Sequence, residues 1–332
     1  MHWKSRVLFH NEKSPFYVLQ ISEVLHFIMA PTEKTFSAYN REQGEKYAQA
    51  RRDYHPRLYQ IVLDLHSSTG GQNDVLIDIG TGPGNVARKL APHFSQAIGL
   101  DPSEGMIQTA ISLGGESAKN TPIRYEVSTA EELGSNLSSP IEANSVDLIT
   151  AANAAHWFDM PNFWVSAARV LKPGGSVALW TSGEIRAHPD MPNSSAIQAA
   201  IDKHQADYLL PYYVRGNLMT RNRYRDLELP WTLEQPLPEF DESDFIRRED
   251  NEEYFTGSVE VDMDMFEKMM STGSPVTRWR QANPELVGTD GDVLVVLRRE
   301  LERLLQEAGV EKGQERVKGL VQGALLVVKK RR

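Results

Sequence analysis

The most constraining feature of this chain is a five-residue run, Val75–Ile79 (VLIDI), that passes straight into Asp78-Ile-Gly80-Thr81-Gly82-Pro-Gly84-Asn85. A short apolar run bounded by turn signals and followed by a helical pattern reads as a parallel strand buried on both faces. The glycines let the backbone take positive φ and come close to a ligand. A helix starting at Asn85 would present free N–H groups and positive potential to an anion. The segment therefore points to a nucleotide-like ligand at the carboxyl end of a parallel sheet; a tight strand–helix turn without a ligand is the plain alternative. The spacing is G-x-G-x-G rather than the dinucleotide fingerprint, and no Gly-Lys-Ser/Thr follows, which excludes a P-loop. The next strand ends at Asp101, where a carboxylate can accept from two ribose hydroxyls, as it also would in an NAD enzyme.

Similar units recur downstream. Further strands are expected over 97–100, 123–127, 146–150 and 176–180, with helices over 35–66 (broken near Pro56), 85–90, 106–113 and 163–170. Strands alternating with helices at this pace predict an α/β, doubly wound, mostly parallel seven-stranded sheet. After Thr181 the rhythm stops. Residues 185–250, rich in Pro, Tyr and Arg, read as an inserted cap; 254–261 suits another strand, 292–308 a helix and 323–329 a closing strand. The expected organisation is an N-terminal extension over 1–34, dispensable and without a fold role before Met29, then a single domain over 35–332. The final Lys-Lys-Arg-Arg reads as a solvated tail.

Composition narrows the function classes. With 36 Lys and Arg against 45 Asp and Glu the formal charge is −9, a poor match to a nucleic-acid backbone, which wants clustered cations. The chain has no cysteine, so disulfides, zinc–thiolate sites, iron–sulfur clusters and thiol nucleophiles are excluded. No His-Glu-x-x-His pattern occurs, and no metal is expected. The most apolar stretch, 16–30, is interrupted by Gln20, Ser22, Glu23 and His26 and is too short to span a bilayer. A cytoplasmic monomer or homodimer with a small-molecule substrate, and with neither nucleic-acid nor membrane partners, is the resulting expectation.

Four segments in order, DIGTGPG, GLDPSEGMI, STAEEL and AANAAHWFD, followed by RVLKPGGSVALW, resemble the class I S-adenosylmethionine (SAM) methyltransferases over about 75–180. By that resemblance Asp78, Gly80, Thr81, Gly82 and Gly84 form the turn for the methionine moiety. Asp101 would bind the ribose, Met106 would pack near the adenine, and Ala130 and Glu131 would lie at its edge, with Asn153 also on the cofactor side. Tyr47…Arg51, Tyr54 and the later Leu210-Pro-Tyr212-Tyr213…Gly216-Asn217…Tyr224…Leu227-Glu-Leu-Pro230-Trp231 are similar to the fungal trans-aconitate and cantharidin small-molecule methyltransferases. Arg52 and His55 depart from that pattern, where prolines are usual.

The resemblance implies SAM-dependent transfer to a small molecule, with a carboxylate acceptor and a methyl ester product as the leading expectation. O- or S-methylation of a secondary metabolite is the alternative, and a SAM-binding protein without transfer activity is the reading from another class. His156 and Trp157 follow the fourth strand, where acceptor meets methyl group; His156 is a candidate base or positioning residue, and either can instead be a packing residue. Tyr213, Arg215, Arg223 and Trp231 are candidate acceptor contacts. The cap arginines, Arg221 and Arg225 among them, form either a solvated face or a rim for carboxylates. Nucleic-acid methylation is disfavoured, since Asn153-Ala-Ala-His156 stands where amino methyltransferases usually carry Asp/Asn-Pro-Pro-Tyr/Phe.

Overall fold

In the computed structural model, residues 39–50, 53–250 and 259–332 are described; the expected extension 1–34 and the apolar stretch 16–30 lie outside them. Among the described residues two helices come first, α1 (Arg41–Ala50) and α2 (Pro56–Ser68). The break between them is local chemistry. The His55 side chain accepts from the Arg57 N–H, and Pro56 follows as the first helical residue, where its missing N–H costs nothing.

Strand β1 (Val75–Ile79) leads through the glycine turn to α3 (Asn85–Leu90), then β2 (Gln96–Asp101), α4 (Glu104–Leu113) and β3 (Arg124–Val127). The chain returns as β4 (Val146–Ala152), α5 (Met160–Val170) and β5 (Leu171–Ala187). Strand β1 pairs in parallel with β2 on one side and β4 on the other, Asp78 lying opposite Gly99 and Thr150. The strand order thus reverses at β1, which opens a crevice at its carboxyl end. Fully buried aliphatics of β1 and β4 cover both faces: Ile77, Ile79 and Ile149 pack with Trp164 of α5, and Leu76 and Leu148 with Leu58 of α2.

After β5 come α6 (Ser194–His204), α7 (Arg215–Arg221), β6 (Ile246–Asp250), β7 (Val259–Asp262), α8 (Met263–Met270), α9 (Ser274–Ala282), α10 (Val293–Glu307) and β8 (Arg316–Lys329). Seven strands lie side by side in the order β3-β2-β1-β4-β5-β8-β6, and β7 pairs with the remaining half of β8. The expected doubly wound, mostly parallel α/β sheet is therefore present, with β7 as an eighth short strand.

Several boundaries differ from expectation. Strand β5 has 17 residues instead of the five expected over 176–180, and β8 begins at Arg316 rather than near 323. The segment 185–250 is flanked by sheet: 185–187 still belong to β5, and 246–250 form the edge strand β6. The polar Thr181-Ser-Gly-Glu and Gln322-Gly interrupt the apolar pattern, but antiparallel pairing carries both strands across a bulge between Thr181 and Glu184. Gly183 there has φ +59°, and a Cβ on it would stand 1.9 Å from the Gln322 carbonyl oxygen, so only glycine fits. The strand expected over 254–261 is Val259–Asp262; 254–258 lie outside the described residues.

The C-terminus is not a free tail. Lys329 is buried with its ammonium on the Thr69 hydroxyl, and burial lowers its pKa to about 8. Lys330 donates to the carbonyls of Ala168 and Leu171, both at 2.7 Å. Arg331 pairs with Asp241 at 2.5 Å.

Candidate active site

The carboxyl ends of β1, β4 and β5 open into a cavity of about 210 Å3. Its floor is the glycine turn, with Asp78, Gly80, Thr81, Gly82 and Asn85 among the lining residues. Gly80 and Gly82 have φ +65° and +53°, conformations that cost an L-residue roughly 1–2 kcal/mol. A Cβ on Gly80 would lie 2.6 Å from that of Ala154, whereas nothing stands within 4 Å of one on Gly82. The turn at Gly82 therefore presents bare backbone to open space. Gly84, φ +83°, instead packs the turn down: a Cβ there would meet the Tyr125 hydroxyl at 2.6 Å.

Two acids hold this turn from below. Asp78 is buried and accepts from the hydroxyls of Thr81 (2.6 Å) and Thr150 (2.7 Å). Asp101 is buried and accepts from the backbone N–H groups of Gly82 (2.8 Å) and Ser103 (2.9 Å). Burial pushes both carboxyls up to about 6, against the lowering effect of these hydrogen bonds. Asp101 spends one acceptor position per oxygen on the backbone, which leaves capacity for a diol.

Asn153 is the hub above the turn. It has φ +49°, and its Nδ2 donates to the hydroxyls of Tyr54 and Ser182, both at 2.7 Å. Its Oδ1 accepts from the Thr181 hydroxyl (3.1 Å) and the Ser182 N–H (2.8 Å). The end of β4 is thereby tied to β5 and to Tyr54 between α1 and α2. Helix α1 itself crosses α4 closely: a Cβ on Gly44 would stand 2.7 Å from the Thr109 hydroxyl, and one on Gly105 would stand 2.3 Å from the Tyr39 carbonyl.

The rest of the cavity wall comes from the protruding β5–β8 ribbon and the helices packed on it: Ile185 and Ala187, Met191, Ile197 and Ile201, Phe266, Met269 and Met270, Leu301, Val317 and Val321. Arg186 and Lys318 also line it; the first lies 3.7 Å from Asp202 and the second 3.4 Å from Asp190. A neighbouring groove shares Tyr47 and Ala50 with the cavity.

Several expected residues stand elsewhere. Asp101, Met106, Ala130 and Glu131 are absent from the cavity wall. Asp101 touches the turn through Gly82, Met106 and Ala130 are buried, and Glu131 accepts from the Asp159 N–H at 2.8 Å. The acceptor set is dispersed. His156 and Trp157 sit on a tight turn after β4 that carries them under α7 instead of into the cavity. The His156 Nδ1 lies 2.8 Å from the Tyr224 hydroxyl, and a Cβ on Gly216 would reach the Trp157 ring at 2.5 Å. Tyr213 packs with Leu209, Val276 and Trp279. Trp231 stacks edge-on against Phe245, 5.2 Å away. Arg215 is exposed, 3.9 Å from Glu228, and Arg223 pairs with Glu249 at 2.8 Å. None of these four lines the cavity, so the rim of cap arginines is not formed there. Tyr54, Thr150, Ser182 and the methionine wall were not legible as site residues, except that Tyr54 belongs to the early tyrosine-rich segment.

Comparison with known proteins bears on the same region. Residues 77–179 match the family described as the methyltransferase domain, and the methyl donor of such a domain is SAM. A Dictyostelium discoideum protein named as a methyltransferase is 33% identical over 174 residues, 52% of this chain and 59% of that protein. A methyltransferase of Aspergillus candidus is 33% identical over 170 residues, 50% of this chain and 51% of its own. The chain thus spans between half and three fifths of these two relatives. A Saccharomyces cerevisiae protein named as a SAM-dependent methyltransferase is 24% identical over 253 residues, 73% of this chain and 82% of the yeast protein. The solved structure described as a type II methyltransferase of Anaeromyxobacter dehalogenans has a TM-score of 0.53 at 24% identity. It covers 85% of this chain and 97% of its own, and shares the fold. Among the described residues no helix is long and apolar enough to cross a membrane, and no cluster of metal-ligating side chains occurs.

Proposed function

We propose that this protein is a SAM-dependent methyltransferase acting on a small molecule held in the cavity above the glycine turn. One observation carries the reading: the bare backbone of Gly82 faces open space beside a mostly apolar cavity whose floor is the glycine turn. The residues fit the cofactor. Open space stands where Gly82 lacks a side chain, and Asp101 has acceptor capacity for a ribose. When bound, SAM supplies an electrophilic methyl carbon. Asp78, through Thr81 and Thr150, fixes the turn, and Asn153 fixes Tyr54 and Ser182 beside it. Holding two reactants in line supplies most of the acceleration such a transfer needs.

The finer reading, a carboxylate acceptor of the trans-aconitate kind, had Arg215 and Arg223 as its physical support. With both outside the chamber, it rests on Arg186, the guanidinium in the wall. The hydroxyl or thiol alternative had His156 as base; its Nδ1 is engaged by the Tyr224 hydroxyl, and it does not line the cavity. Methyl-labelled SAM incubated with a metabolite extract, followed by mass identification of the labelled product, tests the reading. Labelled product together with S-adenosylhomocysteine supports it; SAM binding with no transfer to any acceptor leaves a SAM-binding protein.

A further inference from the structure

Resting on the methyltransferase reading of the site, the chamber wall identifies the acceptor more closely. We propose that the acceptor is an uncharged, predominantly apolar molecule, and that Ile201, Phe266, Met269 and Met270 are the residues that select it. The argument begins with which side chains remain uncovered. Leu301 and Ile197 are buried within their own packing layer, whereas Ile201, Phe266, Met269 and Met270 are only half-buried and line the same cavity. Half-buried apolar surface lining a cavity gains by meeting an apolar ligand, because covering it removes that area from water. The cavity of about 210 Å3 includes the glycine turn, so the acceptor takes the part of it that these four side chains line. Methionines adapt their shape to a flat ligand and make favourable sulfur–aromatic contacts.

Charge gives the second half of the argument. The two wall cations each have a carboxylate beside them outside the wall, Asp202 for Arg186 and Asp190 for Lys318, and the wall's own acid is Asp78. An acceptor carboxylate would have to compete with those partners while leaving water for a wall of Ile, Met, Phe and Val, and an ion so desolvated is costly unless fully paired.

The test uses a matched pair on one ring system: 2-naphthol, uncharged below its own ionisation, and 2-naphthoate. Binding of each to the whole protein, free and with S-adenosylhomocysteine, is measured by calorimetry at pH 7. The expected result is naphthol binding at least tenfold tighter than naphthoate, with Met269→Lys losing most of the naphthol affinity and Met269→Leu keeping it. Since Met269→Lys can disturb folding, its melting temperature and SAM affinity are measured alongside; Phe266→Ala, expected to weaken naphthol several-fold, is the second variant. Naphthoate binding tighter than naphthol, and losing that advantage in Arg186→Gln, would overturn the proposal and favour the carboxylate acceptor. Equal affinities unchanged in all variants would overturn it too. Failure of the methyltransferase reading is separate: the protein would then not bind SAM, whatever the naphthol result.

Discussion

Replacing Asp101 by Asn tests whether the turn rests on a buried carboxylate, and the outcome follows from one pair of numbers. The carboxyl has an ordinary value of 3.8 and is raised to about 6 by burial. Between these values the folded chain binds more protons at this site than the unfolded chain does. Stability from this site is therefore complete below pH 3.8 and is lost as pH rises through 6. The whole change corresponds to about 3 kcal/mol, and about 1.4 kcal/mol of it falls between pH 5 and 7.5. In the parent, Asp78 adds a contribution of the same sign. Asp101→Asn removes the titration but not Asp78, so its stability curve between pH 5 and 7.5 should be flatter than the parent's by about 1.4 kcal/mol. The variant should also be less stable at every pH, by roughly 1–3 kcal/mol, because one of the two N–H groups of Gly82 and Ser103 loses its acceptor. Urea titrations of both proteins at five pH values measure this. Parallel curves would show that Asp101 is ordinarily ionised throughout and would refute the reasoning. The same ionisation predicts that SAM binds more tightly at pH 7.5 than at pH 5 in the parent, and Asp101→Ala should weaken SAM by about 1.5–3 kcal/mol, read by calorimetry.

Gly80→Ala should lower stability by roughly 1–3 kcal/mol through its left-handed backbone and the collision with Ala154, and should weaken SAM, measured by thermal shift and calorimetry. His156→Ala should remove one of several partners of the buried Tyr224 hydroxyl, which keeps the Thr181 hydroxyl, and cost roughly 0.5–1.5 kcal/mol, while the pH–rate inflections stay where they are; a lost inflection would restore His156 as a base. Arg215→Leu and Arg223→Leu should leave the acceptor KM unchanged, since neither lines the chamber, and steady-state kinetics checks it. His204 is buried on the Val293 carbonyl with its pKa lowered by desolvation; its stabilising effect is present above the unfolded value near 6.5 and lost as pH falls, so His204→Gln should soften acid unfolding.

The sequence by itself determined the cofactor half of the molecule. Each of β1 to β4 is a short local pattern ended by a turn residue, and the ends of β1 and α3 fall where composition puts them. Gly80, Gly82, Asp78 and Asp101 are legible because backbone approach and positive φ restrict the residue type at each position. The part of the cavity proposed for the acceptor was decided by tertiary structure. The ladder between β5 and β8 pairs residues more than 130 positions apart and carries both strands through polar segments that read as loop. That ribbon, with α6, α8 and α10 on it, brings Met191, Met269 and Met270 to face the glycine turn. Methionines in amphipathic helices look alike whether they fill a core or line a chamber. The same holds for His156, Tyr213, Arg215, Arg223 and Trp231: their residue types suit an acceptor site, but the tight turn after β4 sets His156 against Tyr224, Glu249 pairs with Arg223, and Tyr213 and Trp231 pack among apolar and aromatic neighbours. A side chain's chemistry is local and readable, whereas the cavity it faces is fixed by contacts between distant segments, which no local pattern encodes.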